Sequence, residues 1–287
     1  MASKEHSSRV LDLTEHIISL NPAHYTVWLY RASTLFALSR SIFDELDWVK
    51  EVALDNQKNY QIWHHRQVLV NALFPTLSTR SEILKLARSE TAFMTEMFHD
   101  DAKNYHVWSY RQFLVRKLEI FPSQTEGVED LDELQSIETL IERDVRNNSA
   151  WSHRFFLVFS DPKWSASHSE VSGGESSIPV EIVDREITFS EMAIRKAPNN
   201  QSPWSYLRGV LKKAARDPAS VEKFAVEFGG SDDSDVKSAC ALDFLADVYT
   251  AKGDKEKAVT MLTLLAEKYD RIRHGYWQWR ISNLEEA

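Results

Sequence analysis

Residues 58–66 read KNYQIWHHR, and residues 103–111 read KNYHVWSYR. Both place Lys, Asn and Tyr ahead of a tryptophan, and an arginine three places behind it. The pattern returns as HYTVWLYR at Trp28, NNSAWSHR at Trp151, NQSPWSYLR at Trp204 and HGYWQWR at Trp277. Arginine holds the third place in five copies (Arg31, Arg66, Arg111, Arg154, Arg280) and slips to the fourth in the Trp204 copy, as Arg208. Two places after each tryptophan stands a ring: Tyr30, His65, Tyr110, His153, Tyr206 or Trp279. Identity at linked positions, recurring along a chain, is the signature of a repeat architecture.

Successive tryptophans of the motif lie 35, 45, 43, 53 and 73 residues apart, and the first three intervals suit one helical hairpin per copy. We therefore expect an all-α protein, with Trp motifs near 20–31, 55–66, 100–111, 145–154, 198–208 and 270–280 in a single helical-repeat domain over 1–287. The longest interval has room for a hairpin without the motif, and 236–251 and 255–268 show helical apolar spacing around Gly253. The interval of 53 contains SDPKWSASHSEVSGGESSIP at 160–179, read as a mobile surface loop. Asn59, Asn104 and either Asn147 or Asn148 stand where a helix N-cap is wanted. Tryptophan and the arginine at i+3 share one helical face, so the indole is expected to fill the space between helices. The arginine is expected to reach a carboxylate or helix carbonyls on a neighbour. The ring at the second place is read as packing, which removes the adjacent His64 and His65 as a zinc pair.

Composition agrees. The 287 residues hold 8 glycines and 8 prolines, against about 20 and 14 at average usage, too few for a sandwich, a barrel or a Gly-rich nucleotide fold. Thirty-four Lys and Arg against 43 Asp and Glu give a net charge of −9, a poor start for binding nucleic acid. No run approaches the ~18 apolar residues of a membrane span, and no secretory signal is read, so a cytoplasmic location is expected. One cysteine, Cys240, excludes an intrachain disulfide and a multi-thiolate zinc site.

Function in a repeat array is sought where the copies differ. Five to two places ahead of each tryptophan the chain reads AHYT, KNYQ, KNYH, RNNS, NNQS and IRHG. Tyrosine occupies the third place in the first three copies (Tyr25, Tyr60, Tyr105). A basic residue occupies the first place in copies two to four (Lys58, Lys103, Arg146). Such residues at helix N-termini favour an anion, and stacked hairpins would align them into a ridge suited to phosphate or carboxylate. A solvated set of capping residues is the alternative, and the pattern alone leaves both open. No nucleophile with its base, phosphate-cradling loop or metal constellation is present. The chain reads as half of a site.

Through KNYQIWHHR, DAKNYHVWSYR and DVRNNSAWSHR, the sequence resembles the protein prenyltransferase α-subunit family. Within it, the likeness is to the α chain common to farnesyltransferase and geranylgeranyltransferase type I. The resemblance runs from about Arg9 to Trp279 and includes NNQSPWSYLRGVL and YDRIRHGYWQWR. It implies a right-handed superhelical crescent of stacked hairpins, a TPR-like solenoid, wrapped around a β subunit in an obligate heterodimer. It also implies transfer of a farnesyl or geranylgeranyl group from the prenyl diphosphate to the cysteine of C-terminal C-a-a-X proteins. Zinc is implied on the β subunit and magnesium with the diphosphate; no metal ligand is implied here. The family's catalytic lysine falls on Lys58, which also binds diphosphate together with Tyr105. Gln61 falls where the acceptor's terminal carboxylate is bound, with Tyr25 beside it as a peptide contact. Asn59, Tyr60, Asn104 and His106 match cleft-lining positions. Lys103 and Arg146 share the slot of Lys58 without its role. Two departures stand out: the family's proline-rich stretch ahead of this start is missing, and 160–179 is longer than the family pattern. Two alternatives stay open: the α subunit of the Rab-type geranylgeranyltransferase, and a non-catalytic helical-repeat scaffold.

Overall fold

A computed structural model describes residues 5–128, 130–165, 178–230 and 235–286. Among these residues there is no strand, and fifteen α-helices follow one another along the chain. They fall into two compact units, Met1–Glu133 and Leu134–Ala287. The first unit holds α1 (Ser8–Leu20), α2 (Tyr25–Ala37), α3 (Ile42–Asp55), α4 (Tyr60–Leu73), α5 (Arg80–Asp100) and α6 (Tyr105–Lys117). They pair as hairpins, α1 with α2, α3 with α4 and α5 with α6, and the second helices stack directly, α2 on α4 and α4 on α6. From the unit boundary onward run α7 (Glu133–Arg143), α8 (Asn148–Phe159), the short α9 (Pro162–Ser165), α10 (Val180–Lys196) and α11 (Gln201–Lys213). There α10 pairs with α11, and α8 stacks on α11. The chain continues through α12 (Glu222–Gly229), α13 (Ala239–Ala251), α14 (Lys255–Leu264) and α15 (His274–Glu286). The motif-free hairpin expected in the long interval is α13 with α14, turning at Gly253, whose φ of 75° favours glycine. Of the expected loop at 160–179, residues 166–177 lie outside the described residues; before them α9 forms, and after them Ile178 is buried.

Each Trp motif opens a helix for a local reason. Asn59, Asn104, Asn147 and Asn200 take the N-cap, their side-chain oxygens accepting from Gln61 N, His106 N, Ala150 N and Ser202 N at 3.0–3.3 Å. Asn147 is thus the cap of α8, and Asn148 its first residue. The indole then folds back on the turn it has left. Trp28, Trp63, Trp108, Trp151 and Trp204 each donate Nε1–H to the carbonyl six residues earlier, at 2.7–3.0 Å. All six motif tryptophans are buried. The ring two places on packs against the preceding copy's tryptophan, His65 on Trp28 at 4.9 Å, Tyr110 on Trp63 at 5.6 Å and Tyr206 on Trp151 at 5.1 Å. Two rings depart from the expected packing role. Trp279 is 59% exposed, because the hairpin ahead of it, α13 with α14, carries no motif tryptophan to meet it. Tyr30, in the first copy, reaches instead to the Glu5 carbonyl at 2.5 Å.

The motif arginines end on buried carboxylates. Arg31 meets Glu45 at 2.7 and 2.8 Å, Arg66 meets Glu90, Arg111 meets Glu133 at 2.9 and 3.1 Å, and Arg154 meets Glu186 at 2.6 and 3.0 Å. The pairs of Arg31, Arg66 and Arg154 each join a motif helix to the first helix of the next hairpin. The ring of the next copy closes on the same carboxylate: His65 on Glu45 at 2.9 Å, Tyr110 on Glu90 at 2.7 Å and Tyr206 on Glu186 at 2.6 Å. An aromatic three residues after the glutamate covers the guanidinium, Trp48, Phe93 and Phe189 lying 3.8, 4.2 and 3.7 Å from Arg31, Arg66 and Arg154. In the last two copies Arg208 and Arg280 share Asp243 and Asp247 of α13. Two-pronged hydrogen bonding offsets the cost of desolvating the charges, and removing one partner would strand the other.

Two glutamates of α5 test this. Glu90→Ala is expected to destabilise the protein by about 3–5 kcal/mol, because it leaves Arg66 charged and buried. Glu96→Ala, which removes the half-exposed pair with Lys50, should cost no more than about 1 kcal/mol. Denaturation midpoints of the purified variants read the difference; equal midpoints would show that the buried pair does not hold the hairpins together.

Candidate functional site

The residues that differ between copies gather at the N-termini of α2, α4 and α6. Tyr25, Tyr60 and Tyr105 are the first residue of their helices and are 67%, 61% and 76% exposed. Three large aromatics at equivalent positions, all turned outward, make the surface of this ridge unlike the scaffold beneath it. His106 joins neighbouring copies, its ring 5.7 Å from Tyr105 and 6.5 Å from Tyr60. Tyr60 stacks in turn on His64 at 5.9 Å. Tyr60 and Gln61 line two hollows. One, of about 330 Å³, lies between α2 and α4 with Tyr25, Leu29, His64 and Val68. The other, of about 770 Å³, opens at the turn with Ala23, Lys58 and Asn59.

Lys58 sits one residue before the cap of α4, with its side chain 80% exposed and Nζ 3.5 Å from the Asp101 carboxylate. The turn that carries it is tied down on both sides. The Gln57 carbonyl accepts from Trp63 Nε1 at 3.0 Å and from Asn104 Nδ2 at 3.1 Å, and Gln57 Nε2 donates to Asp100 at 2.8 Å. Asn59 spends its side chain on capping Gln61 N, and Asn104, which is buried, caps α6 while bridging to the preceding turn. The asparagines therefore position the ridge, while Lys58, Tyr60, Gln61, Tyr25, Tyr105 and His106 face outward or line its hollows. Chemically, this surface offers the ammonium of Lys58, phenols, a primary amide and imidazoles near the positive ends of three helix dipoles, a set suited to anions. Lys103 stays at the surface, as does Arg146 of α8's turn.

The two adjacent histidines have opposite fates. His64 is exposed on the groove; His65 is buried against Trp28 and Glu45. Burial holds the His65 ring below its ordinary pKa, outweighing the attraction of Glu45, so the neutral ring donates Nε2–H to the carboxylate. Burial alone would raise Glu45, but the hydrogen bonds from His65 and Arg31 hold it below the usual carboxylate range. Tyr110 is pushed well above its ordinary value by burial, then by Glu90. Among the described residues no group of three or more His, Cys, Asp or Glu is placed to share a metal ion. Cys240 is half-buried, and burial raises its thiol pKa.

The buried glutamates and Asp101 are not among the residues that the Trp motif itself marks. A signal for the first was present: Glu45, Glu90, Glu133 and Glu186 each precede the motif ring by twenty residues. Asp101 had a weaker one, standing seven places before its tryptophan as Asn21, Asn56 and Asp144 do.

The family profile described as protein prenyltransferase alpha subunit repeat matches residues 7–38, 42–73, 87–118, 130–161 and 183–214. The Candida albicans protein farnesyltransferase/geranylgeranyltransferase type-1 subunit alpha is 35% identical over 99% of this chain and 85% of its own length. A solved structure, Candida albicans protein geranylgeranyltransferase-I complexed with GGPP, superposes with a TM-score of 0.83 at 35% identity, over 98% of this chain and 85% of that one. The Mus musculus geranylgeranyl transferase type-2 subunit alpha is more distant, 29% identical over 71% of this chain and 34% of its own length.

The buried histidine sets a pH dependence that the tyrosine copies lack. A lowered folded pKa means the native state binds fewer protons than the unfolded chain. The stability His65 contributes is therefore present above its unfolded value of about 6.5 and lost as pH falls through the folded value. His65→Tyr keeps a donor for Glu45, as Tyr110 does for Glu90. Its thermal midpoint should fall less than wild type's between pH 7.5 and 5.5; parallel curves would show that His65 does not titrate on unfolding.

Proposed function

The chain belongs to the protein prenyltransferase α-subunit family, and on that premise we propose that it is the α subunit of a protein farnesyltransferase/geranylgeranyltransferase type I. It pairs with a β subunit, and the heterodimer transfers a farnesyl or geranylgeranyl group from the prenyl diphosphate to a C-a-a-X cysteine. The observation that carries this reading is the likeness to the type-1 subunit alpha of Candida albicans over 99% of the chain; we take the outward ridge at the N-termini of α2, α4 and α6, with Lys58, Gln61 and Tyr105, as its working surface.

In the reaction, a bond forms between the cysteine sulfur and C1 of the prenyl chain. The bond from C1 to the bridging oxygen breaks, and its electron pair leaves with pyrophosphate. This chain's part is electrostatic and positional. The ammonium of Lys58 lies beside the oxygen on which negative charge grows, a contact stronger in the transition state than in the ground state. The Tyr105 hydroxyl, one copy along, donates to the same diphosphate. Gln61 donates its amide N–H to the terminal carboxylate of the acceptor, and Tyr25, across the same groove, bounds the acceptor's last residue. Zinc is assigned to the β subunit, where it would hold the thiol as thiolate, and magnesium to the diphosphate. The described residues of this chain do not fit a zinc site, since they offer no ligand cluster and only a half-buried thiol.

Two measurements test the assignment. Co-purified with its β subunit, Lys58→Ala should form the heterodimer but lose about 10²–10³ in transfer rate to a C-a-a-X peptide. Normal transfer by that dimer would make this chain a scaffold only. Gln61→Ala should lower kcat/KM for the free-acid peptide by about ten- to a hundredfold, the worth of a hydrogen bond to a charged group. With a C-terminally amidated peptide the same substitution should change little. An equal loss on both would remove Gln61 from carboxylate recognition.

A further inference from the structure

We propose that Asp101 is a positioning residue for Lys58, directing its ammonium along the ridge towards the diphosphate. The inference rests on the assignment of Lys58 above. An exposed lysine on a four-carbon stem samples many rotamers, so a catalytic ammonium at this turn needs something to fix it. Asp101 stands at the end of α5, one hairpin further on, and its own geometry is over-determined. Its backbone N–H donates to the Met97 carbonyl at 3.2 Å, its carbonyl accepts from Asn104 N at 3.1 Å, and its Oδ1 accepts from Lys103 N at 3.0 Å. The other oxygen, Oδ2, is left facing Lys58 at 3.5 Å. The neighbouring Asp100 holds Gln57 Nε2 at 2.8 Å, so two consecutive carboxylates grip two consecutive residues of the preceding turn.

The turn itself does not call for the charge. At the same place in the first copy, Asn21 Oδ1 accepts from Ala23 N at 3.1 Å, so an amide closes the turn as well as a carboxylate does. What Asp101 adds is its second, charged oxygen. An ammonium has three N–H bonds; one turned towards Asp101 leaves two for oxygens of the diphosphate. The carboxylate also has an opposite effect on binding, because a negative charge beside the anion site repels the incoming diphosphate. Positioning and repulsion predict changes of opposite sign in kcat and in prenyl diphosphate affinity, a split that a merely structural residue does not produce.

The experiment uses the heterodimer with four forms of this chain: wild type, Asp101→Asn, Lys58→Ala and the double variant. Prenyl diphosphate binding and single-turnover transfer to a C-a-a-X peptide are measured for each. Asp101→Asn should bind the diphosphate as tightly as wild type or more tightly, yet transfer about three- to tenfold more slowly, the effect of freeing one rotamer-rich side chain. In the Lys58→Ala background the same substitution should leave the transfer rate unchanged. If Asp101→Asn transfers at the wild-type rate while Lys58→Ala fails, Asp101 does not position Lys58 and the assignment of Lys58 stands. If Asp101→Asn slows transfer equally in both backgrounds, or weakens diphosphate binding, its role is structural and the proposal falls. If Lys58→Ala transfers normally, the assignment of Lys58 falls and takes this proposal with it.

Discussion

A buried carboxylate gripped from two sides organises this protein. In the first unit Glu45 receives Arg31 from the helix before it and His65 from the helix after it, and Glu90 receives Arg66 and Tyr110 in the same way. In the second, Glu186 receives Arg154 and Tyr206. An apolar interface between helices would tolerate sliding by a turn. A charged group taken out of water tolerates only the register that gives it its partners. The carboxylate thus acts as a pin: it fixes which turn of one hairpin faces which turn of the next, and the tryptophans fill the space around it.

The pins matter to function because they leave the helix N-termini free. With the indoles, arginines and second-place rings of α4 and α6 directed inward, the outward side chains of the turns ahead of these helices are left free of packing. Their outward residues can then be chosen for chemistry. The same network gives these turns rigidity: one carbonyl, that of Gln57, ties the turn carrying Lys58 to its own tryptophan and to the cap of the next helix. A lysine set on such a turn moves only through its own side chain, so a neighbouring carboxylate can steer it.

Much of the arrangement was legible in residue spacing. The Trp, ring and Arg positions foretold the buried indoles and the arginine-to-carboxylate pairs. Gly253 and the apolar spacing around it foretold the hairpin of α13 and α14. A glutamate stands twenty residues ahead of the rings of copies two to five, yet local spacing does not mark it as buried, because a glutamate in an amphipathic helix is ordinarily a surface residue. Trp279 is exposed for a related reason: a ring packs only if the neighbouring copy supplies its partner, and the copy ahead of it lacks the tryptophan. Within the candidate site, Lys58, Gln61 and the three tyrosines stood out as departures from the repeat. Asn59 and Asn104 beside them are the N-caps that their position foretells, and Asn104 is buried.

The sequence by itself determined the helical repeat, which is written in local periodicity, and the residues of the ridge, which stand out as departures from that repeat. Only the tertiary structure decided that the packing ring of His65 closes on the buried Glu45. It also decided that Asn104 is spent as a bridge, and that Asp101, forty-three residues beyond Lys58, stands beside it. These outcomes depend on which turns the hairpins bring together. That is settled by the summed burial of tryptophans and paired charges across the interface, an energy that no single segment of the chain contains.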